Sequence, residues 1–193
     1  MSKVSKLTID FRLPALADAT EWLNSKSGVQ QVKGHPTLVH FWSISSETAK
    51  TNLAQVAELR DQRRREGLRV IAIHVPQSEA EKNPRAVRDA IARLNLTEPC
   101  ALDNNLKISR GQEDLPVYFL IDPEGANSSF STDLETIEDQ LDQMLVELRN
   151  QNPFCAACEL FLNKEAMFCA NCGSPLTLPG PGQHPYYEDH FNA

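Results

Sequence analysis

The sequence predicts an α/β domain, a central mixed sheet covered by helices on both faces, followed by a small cysteine-rich unit. Over residues 1–150, short apolar runs of strand length alternate with segments of helical spacing. One of those runs is hydrophobic almost without interruption, the pattern of a strand covered on both faces. After "RNQNPF" (149–154) the composition shifts to Cys, Pro, Gly and aromatic residues.

"PTLVHFW" (36–42) is a β-branched and aromatic run of strand length. Helical spacing follows, with Ala49, Leu53, Val56, Ala57 and Arg60 on one face and the charged run "RDQRRREG" closing the helix before Gly67. "LRVIAIHV" (68–75) is the continuous apolar strand, and Asn83 before Pro84 reads as an N-cap opening a helix to Leu94. "PCAL" is a short strand, "VYFLI" (117–121) a longer one, and "DPEG" (122–125) a tight turn into a hairpin strand "ANSSF". Thr132 and Glu135 have capping-box spacing, and Leu134, Ile137, Leu141, Leu145 and Leu148 form the stripe of a last helix.

Bulk properties exclude several function classes. The net charge of −7 and pI near 5.2 argue against a general attraction to nucleic acid or to anionic membrane. No apolar run approaches a membrane span, and the start "MSKVSKLTIDFRLPAL" lacks the apolar core of a secretory signal, so a cytoplasmic location is expected. Five cysteines in a reducing compartment read as metal ligands or redox groups rather than disulfides. A domain of about 150 residues buries roughly 70% of its unfolded surface, so its main core is not expected to need metal.

The order of elements, with a strand ending in Phe41-Trp42 just before a helix and Leu115-Pro116 just before a later strand, resembles the thioredoxin fold. The pattern is similar to the TlpA/ResA-type proteins: a Gly-Lys-Pro-like turn, an apolar strand, Phe-Trp, small residues, Cys-x-x-Cys and a basic residue. Here it reads "KGHPTLVHFWSISSETAK". The resemblance implies a thioredoxin-like three-layer domain over 1–150. It places Trp42 before the motif, Ser46 and Ala49 at the two cysteine positions, Lys50 as the basic residue and Pro116 as a cis-proline facing the motif.

The missing thiols decide the expected chemistry. Thioredoxin-type exchange needs a thiolate at a helix N-terminus, where the dipole lowers its pKa, and a second thiol to resolve the mixed disulfide. Ser46 has no disulfide chemistry, and Ala49 can resolve nothing, so the catalytic positions are degenerate. A nucleophilic serine would need an oriented base, and His40 and His74 on the strands read as packing residues instead. A binding groove is what the resemblance leaves, formed by Trp42, Ser46, Glu47, Thr48, Leu115 and Pro116, for an unidentified protein or peptide partner. The plainer reading of "SSET" is a well-capped helix start.

"FCAAC" and "FCANCGSPL" place Cys155, Cys158, Cys169 and Cys172 in two Cys-x-x-Cys pairs separated by ten residues. Each pair can turn two sulfurs toward one ion, and four thiolates complete the closed tetrahedral site of structural zinc. Gly173 suits the left-handed backbone of such a turn. Residues 151–178 thus resemble a short zinc ribbon holding one Zn. The alternative is a thiol-disulfide oxidoreductase in which these pairs do the chemistry. Cys100 reads as a buried small residue, the cations of "RDQRRRE" as a solvated helix end, and 179–193 as a disordered tail. The oligomeric state stays open.

Overall fold

The computed structural model describes residues 13–26, 28–110 and 114–176; the tail expected to be disordered lies outside them. A six-stranded sheet forms the centre, in the order β1-β4-β3-β2-β5-β6. Its members are β1 (Glu21–Leu23), β2 (Thr37–Trp42), β3 (Arg69–His74), β4 (Cys100–Leu102), β5 (Val117–Ile121) and β6 (Asn127–Ser131). β2, β3 and β4 run parallel, while β1, β5 and β6 pair antiparallel, which makes the sheet mixed.

Alternation along the strands separates two cores, because successive side chains point to opposite faces. Leu38, Trp42, Val70, Ala72, Cys100, Leu102, Tyr118 and Leu120 face α2 (Glu47–Arg63), α3 (Pro84–Leu94) and α4 (Leu134–Gln151). Val39, Phe41, Ile71, Ile73, Val117 and Phe119 face the 3-10 helix Leu13–Asp18, the short α1 (Gly28–Val32) and Ile108. The two helical layers are therefore unequal. The connections β2-α2-β3 and β3-α3-β4 both step toward β1, and right-handed crossovers in one direction put both helices on the same face.

Several elements differ in detail from the sequence reading. On α2 the buried face is Ala49, Leu53, Val56 and Leu59, not Ala57. The last helix is capped by Asp133, whose carboxylate accepts from the Thr136 N–H at 3.0 Å, instead of the Thr132–Glu135 box; a carboxylate one residue later is the stronger acceptor. Asn83 caps α3 by accepting from Arg85 N–H, with Pro84 at the first position as expected. β1 and α1 carry three and five residues, too few for a periodic pattern to be read.

The C-terminal unit is a two-stranded hairpin, β7 (Phe154–Cys155) and β8 (Leu160–Phe161), followed by a second turn with a Phe168–Pro175 bridge. It packs where β2 and β3 begin. An ideal Cβ on Gly67, the residue closing the α2 end with φ +104, would stand 3.3 Å from the Phe161 ring and 3.4 Å from the Phe154 ring.

Candidate functional site

Two sites stand at opposite ends of the sheet. The first follows β2, where Ser46 sits in extended conformation and caps α2, its Oγ accepting from the Ala49 N–H at 3.3 Å. Glu47 lies in the first helical turn, where it complements the dipole, and accepts a 2.6 Å hydrogen bond from Lys50. Ser46 shares a cavity of about 340 Å³ with Ser45, Gln77, Asp114 and Leu115. The Leu115–Pro116 peptide is cis. Glu47 and Thr48 are exposed in the first turn of α2 and, like Pro116, are not among the residues lining the cavity. Trp42 does not reach the cavity: it is fully buried, its ring meeting His74 edge-on at 5.1 Å, because its strand position turns it into the helical-face core. Ala49 is buried in the same core.

A buried polar network missed by the sequence reading holds the walls of this cavity. Ser43 Oγ donates to Glu81 Oε2 at 2.6 Å, the Gln77 N–H donates to the same oxygen at 3.3 Å, and Ser45 Oγ lies 3.2 Å from Ser43 Oγ. Glu81 thereby ties the loop after β2 to the loop after β3. Burial opposes its charge, but the hydroxyl and N–H donors outweigh it and hold the carboxyl below its usual range. His74 Nε2 stands 3.7 Å from Glu81, and burial pushes the His74 pKa down to about 4. Neither expected packing histidine serves a serine: His40 Nε2 hydrogen-bonds Glu98 Oε1 at 3.1 Å, and His74 Nδ1 and Nε2 make no hydrogen bond. Glu98 also takes Arg60 Nη1 at 2.7 Å. Burial resists that charge, and the His40 hydrogen bond with the Arg60 cation overcomes it, leaving Glu98 at about 2. No local pattern signals these carboxylates, because Glu98 meets His40 across 58 residues of sequence.

Cys100 is fully buried, and burial raises its thiol to about 12, so it is no nucleophile at neutral pH. Arg60, Arg63, Arg64 and Arg69 are engaged: beyond the Glu98 contact, Arg63 reaches Asp142 at 2.7 Å, while Arg69 and Arg64 approach Glu159 at 3.2 and 4.0 Å. Arg60 and Arg63 are drawn into these pairs, while Arg64 and Arg65 stay exposed, as the solvated helix end implies.

The second site gathers Cys155, Cys158, Cys169 and Cys172, whose sulfurs all lie within 4.8 Å of one another. Sulfurs 2.3 Å from one tetrahedral ion stand about 3.8 Å apart. The Cys155–Cys172 and Cys158–Cys169 sulfurs are separated by 3.6 and 3.8 Å, so the four residues fit a metal. Each turn is closed by its own backbone: Cys158 N–H donates to Cys155 C=O, and Gly173 N–H, at φ +74, donates to Cys169 C=O. Asn171 Nδ2 donates to the Cys158 sulfur, and the hydrogen bond with Ser174 lowers Cys172 to about 6. Cys155 and Cys169 are buried and Cys172 exposed.

The two sites are separated by the six-residue length of β2, roughly 17 Å of strand. Ser46 follows its C-terminal end, and the hairpin packs against Gly34 and Gly67, before β2 and β3. No helix among the described residues is long and apolar enough to cross a membrane.

No protein-family model matches the chain. The thiol-disulfide oxidoreductase YkuV of Bacillus subtilis is 30% identical over 141 residues, which span 70% of this chain and 95% of that protein. The protein DipZ of Mycobacterium bovis is 30% identical over 118 residues, 58% of this chain but only 17% of DipZ. Among solved structures, a thioredoxin-like protein in its oxidized form superposes with a TM-score of 0.62 at 30% identity, covering 73% of this chain and 99% of that one. A thioredoxin-like superfamily protein at 14% identity superposes with a TM-score of 0.55 over 66% of this chain and 92% of its own, a likeness of fold alone.

Proposed function

The chain belongs to the thioredoxin-like thiol-disulfide oxidoreductase family, and from that premise we propose that it is a redox-inactive member that holds a protein or peptide segment in the groove beside Ser46. The observation that carries the reading is Ser46 as the cap of α2, with Ala49 one turn on and turned into the core. The family's nucleophile and resolving thiol would occupy these two positions. A hydroxyl whose oxygen already accepts a backbone N–H supplies neither thiolate nor leaving group. Ser45, Ser46, Gln77, Asp114 and Leu115 offer polar and apolar contacts to an extended chain.

Four cysteines at the other end hold one structural zinc ion in this reading. Their sulfur spacing fits a closed tetrahedron, and such an ion would stabilise the turns and leave no open position for substrate. The acidic balance supports a protein partner over nucleic acid, and a cytoplasmic setting would keep the thiols reduced. A second reading, exchange by the C-terminal cysteines, has the exposure of Cys172 in its favour. The fit of all four sulfurs to one closed tetrahedron, in which an ion would occupy the thiolates, favours the first.

The test is insulin disulfide reduction with dithiothreitol as electron donor. The chain should add nothing to the rate of dithiothreitol alone, and the Ser46→Cys/Ala49→Cys variant should turn over. Turnover by the unaltered chain would overturn the reading; its loss in Cys155→Ser with the domain still folded would establish the second reading.

A further inference from the structure

We propose that the four-cysteine unit is a metal-dependent clamp on the main domain, so that holding the ion stabilises the six-stranded sheet as well as the ribbon itself. This rests on the metal reading above. Phe161 is only 5% exposed and belongs to the same apolar cluster as Leu38 of β2, Leu59 of α2, Tyr118 of β5 and Leu145 of α4. It is a core residue of the main domain contributed by the appendage. Phe154 packs against it with the rings tilted by 50° and their centroids 4.9 Å apart, and both rings close over Gly67, where a Cβ would stand in their way.

Polar contacts fix the same docking. Arg69 Nη2 donates to Glu159 Oε2 at 3.2 Å, tying the first residue of β3 to the turn that joins β7 and β8. Asn152 Nδ2 donates to Leu162 C=O at 2.8 Å, and Leu162 N–H returns a bond to Pro153 C=O. The anchors and two of the metal ligands are interleaved in one hairpin: Phe154 beside Cys155, Cys158 beside Glu159, then Phe161. Its strands are two residues each and too short to persist alone.

What keeps Phe154, Glu159 and Phe161 in register is therefore the ion shared with Cys169 and Cys172. Loss of the ion frees the hairpin, and Phe161 then leaves a cluster that the β2, α2, β5 and α4 residues complete only with it. A ligand bound to the folded state alone stabilises everything that unfolds with its site. The domain's size leads one to expect a core indifferent to metal; the placement of Phe161 makes it dependent.

Both tryptophans of the chain, Trp22 and Trp42, lie in β1 and β2, so indole fluorescence reads the main sheet and not the appendage. The experiment follows this signal through urea unfolding of the full chain under a phosphine reductant, with one equivalent of zinc and after chelation, measuring zinc per chain in each sample. The clamp requires one zinc per chain and a lower urea midpoint after stripping. Phe161→Ala should still bind zinc but lose most of the difference between the two midpoints. Glu159→Gln, which weakens the Arg69 contact of the same docked hairpin, should lose part of it and decides the matter if Phe161→Ala does not fold. One zinc per chain with identical midpoints would overturn the clamp and leave the metal reading standing. Failure to bind zinc at all would overturn both.

Discussion

Three buried titratable residues shape the chain's acid response. His74 is wholly buried, and burial lowers its pKa from 6.5 to about 4. Between those values the unfolded chain binds a proton that the folded chain refuses. Stability is therefore unaffected above pH 6.5 and falls as pH drops from 6.5 toward 4. For a fully desolvated imidazole the loss is on the order of 3 kcal/mol. His35, lowered to about 4 by burial and then by Arg69, acts in the same direction. His74→Phe should flatten the urea midpoint against pH in this window, and an unchanged slope would assign the response elsewhere. Glu98 works at lower pH. Its folded value of about 2 lies below the ordinary 4.5, so its contribution is present above 4.5 and lost as pH falls toward 2. Glu98→Ala strips the partner from buried His40 and from Arg60 and should cost about 3–5 kcal/mol by urea unfolding at pH 7.

At the scale of elements, most helices and strands were legible because their signals are local. β5 was readable as "VYFLI", a β-branched and aromatic run ended by Asp-Pro-Glu-Gly. α3 announced itself through Asn83-Pro84, and α4 through Leu134, Ile137, Leu141 and Leu145 at helical spacing. β1 was not legible: three residues pair with β4 some eighty positions later, and nothing in "EWL" encodes that partner. Gly67 illustrates a position where element and packing meet. Its φ of +104 suits glycine alone, and a methyl there would press on Phe161 and Phe154. Gly67→Ala should cost at least about 1 kcal/mol of main-domain stability, against about 1 kcal/mol for removing the α2 cap in Ser46→Ala. Thermal unfolding of the two variants checks the comparison.

Over the whole molecule, the sheet keeps two ends apart. The Ser46 cavity lies where β2 finishes and β5 begins, and the hairpin that carries Cys155 packs where β2 and β3 begin. In a Ser46→Cys/Ala49→Cys background, a further Cys155→Ser should leave insulin reduction within about twofold at a temperature where the chain stays folded, because sulfurs roughly a strand length apart do not exchange. A large loss with the fold intact would mean that the two ends communicate chemically. The four-cysteine cluster was legible as a set from the spacing of two Cys-x-x-Cys pairs, since one short turn suffices to aim each pair.

By itself the sequence determined the α/β class, the strand-to-helix junction at Ser46, and the two Cys-x-x-Cys pairs. Each of these depends on residues within a turn or two of one another, where covalent geometry and helical or strand periodicity limit the outcomes. Only the tertiary structure decided that Trp42 is core rather than groove, that Glu81 and Glu98 are buried in polar networks, and that Phe161 completes the main core from the appendage. Those outcomes depend on which distant segments share a face, and burial, hydrogen bonding and charge act through space rather than along the chain.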